Sequence, residues 1–259
     1  MSRVRLLTFN IAHARGPALH QGLGRADRYR HNLARIAALI KRLEADIVAL
    51  QEIDVDSSWS GRFDHVAFLR EHTGLAHGAF GGTNHRHAGG LRIWYGNAVL
   101  SRFPITHHES GVFEHALVAK KGFLFAEFEL PQGRLPLVNV HLHHSSRPKR
   151  LAQVRRVLSH LEHQHARRGA HWRTRPVICG DFNAPAHAPD ATAVLLAHLE
   201  ETENYTLLPK GRHTATFPAA WQQRALDYIF LPAACRDAEA MVVRSFLSDH
   251  RPVLAQFRL

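Results

Sequence analysis

Apolar and polar positions alternate from Val4 onward, and the alternation predicts a first strand over residues 4–10. The pattern then changes period. Leu33, Ile36, Ala37, Ile40 and Leu43 recur at helical spacing and predict a helix over 25–43, followed by a buried strand over 46–51. Short runs rich in Val, Ile, Leu and Phe predict further strands at 98–101, 122–130, 135–142, 176–179, 225–231, 241–245 and 252–257. A second long helix is predicted over 148–164, where Leu151, Val154, Leu158 and Leu161 form one stripe and Pro148 falls in the first turn. Segments 81–90 and 206–223 carry Gly, Pro, His and aromatics without a sustained period and are read as long loops. Strands that come in pairs between widely separated helices do not fit strict β-α-β alternation. They predict mixed sheets packed together with helices outside.

Length and composition narrow this picture. The 259 residues are 45% apolar and 21% charged, ordinary globular values that suit one domain over 1–259 and exclude a disordered or fibrous chain. No apolar run approaches the ~20 residues that span a bilayer, and no signal-peptide pattern opens the chain. Cys179 and Cys235 cannot form a disulfide framework, so a reducing, cytoplasmic setting is expected. A formal charge of +11 favours anionic partners: nucleic acid, phospholipid surfaces or phosphorylated metabolites. Nine Lys and Arg between Arg147 and Arg175 face one acid, Glu162. That stretch is a solvated helix face, a tracker of phosphate backbone or a contact for anionic lipid.

Several strand ends carry polar residues suited to chemistry. The first strand ends in Asn10 and the second in Gln51-Glu52, so an amide and a carboxylate open onto a shared crevice. His141 and His143 fall on one face of a strand by its period of two, where either can reach a phosphate; a zinc pair is the weaker option because no third ligand sits at suitable spacing. In Gly180-Asp181-Phe182-Asn183, Asp181 can accept a proton from water or orient it, and Asn183 can donate to a phosphoryl oxygen without adding negative charge. Asp227 lies inside an apolar strand and needs a partner, for which His250, beside Asp249, is the candidate. A serine hydrolase is disfavoured by the absence of a G-x-S-x-G elbow.

Taken in order, Thr8-Phe9-Asn10, Leu50-Gln51-Glu52, Tyr95 to Arg102, Asn139 to Leu142, Gly180 to Asn183, Leu226-Asp227-Tyr228 and Ser248-Asp249-His250 resemble the endonuclease/exonuclease/phosphatase superfamily. The resemblance spans the whole chain. It implies an α/β fold, a four-layer α-β-β-α sandwich of two mixed sheets flanked by helices, with a Mg²⁺-dependent hydrolytic site that Mn²⁺ can also serve. Carried over residue by residue, it makes Glu52 the main metal ligand with Asn10 and Asp249 contributing. Asp181 becomes the residue that activates water, Asn183 and His141 phosphate contacts, and Asp227-His250 the support for phosphoryl charge. Asn97 and Arg150 join Asn183 and His141 as expected substrate contacts. One departure is that Ala225, not Arg, precedes Leu226-Asp227, with Arg224 one place earlier.

The expected function is hydrolysis of a phosphodiester by metal-activated water, with nucleic acid as the first substrate class. The alternative is a phosphodiesterase or phosphatase acting on phospholipid or its headgroups at membrane surfaces. An inactive anion-binding module is disfavoured because every expected site position is occupied. No protein partner is implied, and the parts played by His85, His87, His143 and His144 are left open by the sequence.

Overall fold

In the computed structural model, residues 3–16, 26–113 and 120–259 are described. Chain order runs β1 (Arg3–Asn10), α1 (Ala26–Arg42), β2 (Ile47–Asp54), α2 (His65–Thr73), β3 (His77–Ala88), β4 (Leu91–Ser101), β5 (Ile105–Val112), β6 (Gly122–Leu130) and β7 (Gly133–His141). It continues with α3 (Arg147–Arg168), β8 (Val177–Asp181), α4 (Ala191–Glu203), β9 (Tyr205–Leu208), β10 (Asp227–Pro232), β11 (Arg236–Val242) and β12 (Val253–Arg258). Two six-stranded mixed sheets result, in the orders β11-β12-β1-β2-β4-β3 and β5-β6-β7-β8-β10-β9. Within them β1 pairs parallel with β2, and β7 parallel with β8.

Side-chain alternation sorts these strands into layers. Val4 and Leu6 of β1, Ile47 and Ala49 of β2, Leu135 and Leu137 of β7, Val177 and Cys179 of β8, and Ile229 and Leu231 of β10 all enter the core between the sheets. Their neighbours of opposite parity face outward. Leu7, Phe9, Val48 and Leu50 pack with Leu33, Ile36 and Ile40 of α1, and Val138, Val140, Ile178 and Phe230 pack with Val154, Val157 and Leu161 of α3 and Leu195 of α4. The four layers expected from the sequence are therefore present, helices outside and sheets within. Both cysteines are buried and free. No helix among the described residues is long and apolar enough to cross a membrane.

Three sequence expectations change. Segment 81–90 is not a loop: residues 81–88 belong to β3, which pairs antiparallel with β4 through a glycine turn at Gly89 and Gly90. Its glycines hide it from a hydrophobic pattern but are needed for contact, since a Cβ on Gly96 would lie 2.0 Å from the Gly81 carbonyl oxygen. Segment 206–223 begins in β9, and only the remainder is irregular. The strand predicted to carry both His141 and His143 ends at His141; the backbone N–H of His143 donates instead to Gln153 on α3, and its Nδ1 accepts from Ser145 and Ser146. The start of α1 is described from Ala26, so Arg25 lies outside the described residues.

Candidate functional site

The parity that fills the inter-sheet core also builds the site at its end. Continuing by twos from Leu6, Leu137, Cys179 and Ile229 reaches Asn10, Asn139 and His141, Asp181, and Asp227. The same inner faces thus run from apolar to polar. Just below the opening, Gln51 Nε2 donates to Asn139 Oδ1 at 2.7 Å across the sheets, and Asn139 Nδ2 donates to the carbonyls of Leu50 and Ala98 at 2.8 and 3.0 Å. Asn97 belongs to this floor. Its side chain is buried, donates to Gly122 O at 3.0 Å and does not line the cavity above. Arg150 is likewise turned away, pairing with Asp190 and donating to the carbonyls of His143 and His144, and it does not line the cavity.

Above the floor lies an open cavity of about 610 Å³. Asn10, Glu52, His141, Asp181, Asn183, Asp249 and His250 all line it, and Asp227 stands directly behind His250. A bulge aims Glu52. The β2-β4 register slips between Leu50 and Ile53, and Glu52 takes φ +52°, which brings its carboxylate to the cavity instead of the helix side. Gly180 performs the matching task on β8. Its φ is +137°, and a Cβ there would lie 2.0 Å from Val140 O, so only glycine lets Asp181 follow in register with β7.

Asp181 is buried and in contact with several groups at once. Oδ2 accepts from Asn10 Nδ2 at 3.0 Å and lies 3.5 Å from His141 Nε2 and 3.7 Å from His250 Nε2, while Oδ1 accepts the Asn183 backbone N–H at 2.9 Å. Burial raises its pKa against the pull of His250. His250 does pair with Asp227, Nδ1 to Oδ2 at 2.8 Å. Burial alone would lower the His250 pKa, but the Asp227 and Asp181 carboxylates outweigh it and push it up to about 10. His141 goes the opposite way, down to about 3, through burial and the Lys121 ammonium 2.8 Å from its Nε2. The two histidines beside Asp181 are thereby set to opposite charge states.

Sequence reasoning missed four residues here. Lys121 Nζ lies 3.2 Å from Glu52 Oε1, and Arg15 stands between Glu52 at 4.0 Å and Asp249, which it pairs with directly. His13 is buried with Nε2 3.7 Å from Glu52 Oε2 and Nδ1 2.8 Å from Asp54 Oδ2. Despite burial, Lys121, His13, His141 and Arg15 hold the Glu52 carboxyl far below the usual carboxylate range. A usable signal existed for Asp54, which follows Glu52 by two on the same strand. For Lys121 none did, because it precedes a strand and its partners are distant in sequence. Behind the Asp227-His250 pair, Thr216 Oγ1 donates to Asp227 Oδ2 at 2.5 Å, and the Phe217 ring sits 4.9 Å from the His250 ring.

Two groups of donors have metal-binding chemistry. Asp181, Asp227 and His250 bring ligand atoms within 4.8 Å of one another, but they are fully buried and already bonded to each other or to Asn10, Asn183 and Thr216. Glu52, Asp249 and the Asn10 amide oxygen offer two carboxylates and one neutral oxygen at the cavity surface, and cationic side chains already gather around the carboxylates. Such hard oxygen donors have the chemistry to hold a divalent cation.

Residues 7–250 match the Endonuclease/Exonuclease/phosphatase family. The chain belongs to that family. Its members are phosphoester hydrolases that generally use a divalent metal. YbhP of Escherichia coli K12 is 28% identical over 271 aligned residues, which cover 98% of this chain and 96% of YbhP. An endonuclease/exonuclease/phosphatase from Beutenbergia cavernae superposes with a TM-score of 0.75 at 22% identity, over 100% of this chain and 72% of that one. The mannosyl-6-phosphatase Bt3783 of Bacteroides thetaiotaomicron superposes with a TM-score of 0.69 at 14% identity, over 99% of this chain and 100% of the other. At these identities the two structures speak for the fold.

Proposed function

We propose that this family member is a Mg²⁺- or Mn²⁺-dependent phosphodiesterase in which Asp181 directs water at phosphorus. The observation that carries the reading is Asp181 itself: a buried carboxylate of raised pKa, in contact with Asn10, His141 and His250 and open to the cavity that Glu52 and Asp249 line from the other side. A divalent ion bound at Glu52, Asp249 and Asn10 would polarise the phosphoryl oxygens as a Lewis acid. The chain supplies the rest. Asp181 accepts a proton from the attacking water, a task suited to a carboxylate that lines the cavity and is held in place by Asn10 and the Asn183 backbone N–H. His250, kept cationic by Asp227, presents Nε2–H to the negative charge on the non-bridging phosphoryl oxygens, where Lys121 adds a second cation, while the P–O bond to the leaving alcohol breaks and its oxygen takes a proton from solvent. Neutral His141 and the free amide hydrogen of Asn183 orient the phosphoryl group; the other hydrogen is spent on Leu142 O.

The basic stretch on α3 does not support a nuclease in particular. Arg147 donates to Pro189 O, Arg156 to Phe113 O, and Arg168 pairs with Glu127, and no Lys or Arg of α3 lines the cavity. The test is to supply bis-p-nitrophenyl phosphate, p-nitrophenyl phosphate, plasmid DNA and anionic phospholipid vesicles with Mg²⁺ or Mn²⁺. Metal-dependent release of p-nitrophenol from the diester, abolished by chelator, is expected. Full turnover in chelator, or no turnover of any phosphoester, would reject the reading.

A further inference from the structure

The three acids lining the cavity are Glu52, Asp181 and Asp249, and each already faces a cation of the site: Lys121, His250 and Arg15 respectively. Two further cations on the β3 side have no such counterpart. The ammonium of Lys120 and the guanidinium of Arg86 both line the cavity and make no ion pair or hydrogen bond with any described residue. Their placement is built, not incidental. Asn84 is buried on β3 and commits its side-chain amide to the backbone of residue 120, Nδ2 donating to Lys120 O at 2.9 Å and Oδ1 accepting the Lys120 N–H at 3.0 Å. That reciprocal clamp fixes the point from which Lys121 reaches Glu52 and His141 and Lys120 leaves for the cavity. Arg86 follows Asn84 by two residues in the same strand, so it leaves the same face one pleat further on.

Beside these cations the cavity wall is apolar and aromatic, formed by Ile93, the cross-strand partner of Arg86, and Tyr95, the partner of Asn84, with the Trp59 ring next to Tyr95. A substrate bearing only the scissile phosphoryl group would leave Lys120 and Arg86 facing solvent and the wall bare. We infer that the cavity holds a second oxyanion subsite at Lys120 and Arg86, and that the natural substrate is a phosphoester carrying another phosphate or similar anionic group, joined to the first across a body that lies on Ile93 and Tyr95. Charge-assisted hydrogen bonds from lysine and arginine are the usual means of holding such a group. This inference rests on the hydrolase reading for the first subsite.

Titration calorimetry with Mg²⁺ in excess of ligand tests it, using a series of alkane α,ω-bisphosphonates of increasing chain length against butylphosphonate. At least one bisphosphonate is expected to bind about tenfold or more tighter than the monophosphonate, a gain of about 1.4 kcal/mol. Lys120→Gln with Arg86→Gln should erase that gain. Arg155→Gln with Arg167→Gln, on the exposed face of α3, should keep it and so controls for the overall positive charge. No gain at any chain length, a gain that survives the cavity variant, or an equal loss in the α3 control would overturn the subsite. Wild-type hydrolysis of bis-p-nitrophenyl phosphate, run alongside, separates the two readings. Turnover without a bisphosphonate gain removes only the second subsite, whereas a gain without turnover of this diester or of any other phosphoester supplied keeps the anion subsite and removes the hydrolase.

Discussion

His13 stands to Asp54 as His250 stands to Asp227, each with Nδ1 2.8 Å from a buried carboxylate oxygen and Nε2 turned toward the cavity's acids. The first pair supports Glu52 and the second supports Asp181. Because Asp54 Oδ1 also accepts the Trp59 indole N–H at 3.0 Å, one carboxylate ties His13 to the aromatic wall. Asp54→Asn should keep the shape while loosening His13, and so lower Mn²⁺ affinity or kcat by about 10–100-fold. Calorimetry and steady-state kinetics measure the loss, with far-ultraviolet circular dichroism and thermal denaturation reporting that the fold persists. Wild-type metal affinity and kcat in a folded variant would leave the pair without a part in the site.

Asp181→Asn and Glu52→Ala should fail in different ways. The first keeps one acceptor and the hydrogen bond to Asn183, so metal binding is retained while kcat falls by ~10²-fold or more through loss of the base. The second removes the main carboxylate at the proposed ion site, so Mn²⁺ binding itself weakens. A variant of Asp181 that loses metal but keeps kcat at saturating Mn²⁺ would exchange the two assignments.

The legible part of the molecule is the part governed by alternation. Strand ends and an acid inside an apolar strand single out Asn10, Asp181 and Asp227, and strand parity singles out His141, although the same parity carries on to His143, where the strand has already ended. What escaped does so for physical reasons. β3 is held by glycine contacts and a hairpin instead of apolar alternation, and α2 is too short to show a full stripe. Arg150 and Asn97 look like phosphate ligands because a sequence shows donors but not the buried carboxylate and carbonyls that consume them. His13 is reached only through three consecutive left-handed residues, Ala12 to Ala14, a conformation that non-glycine residues seldom adopt and that no local pattern announces.

Gly180→Ala should be costly out of proportion to one methyl group. The substitution meets a backbone carbonyl of β7 and a φ of +137°, so β8 must move away at the point where Asp181 begins. A loss of stability of roughly 1–3 kcal/mol is expected from the strained backbone, together with a fall in kcat because Asp181 shifts against His250. Thermal denaturation and kinetics on one preparation measure both. A destabilised variant with unchanged kcat would show that Asp181 is positioned by its hydrogen bonds alone.

Glu127 is the buried acid on the outer face of β6, between Phe125 and Phe128 in sequence, and it gives the stability of the α3 end a pH dependence of predictable sign. Oε2 accepts from Arg168 Nη2 at 2.8 Å and Oε1 from the Trp172 indole N–H at 2.9 Å, and Arg168 Nε completes the fork. Burial alone would raise its pKa, but these donors outweigh burial and hold it below the ordinary value of about 4.3. A carboxyl whose pKa is lower folded than unfolded binds fewer protons when folded. Its contribution is therefore complete above the unfolded pKa and disappears as pH falls through the lowered folded value. Glu127→Gln, which keeps the shape but not the charge, should cost about 1–3 kcal/mol near neutrality. In urea denaturation followed from neutrality into acid, the gap between wild type and variant should hold down to about pH 4 and then close. A gap that stays constant into acid would assign the effect to packing of the side chain and not to its charge.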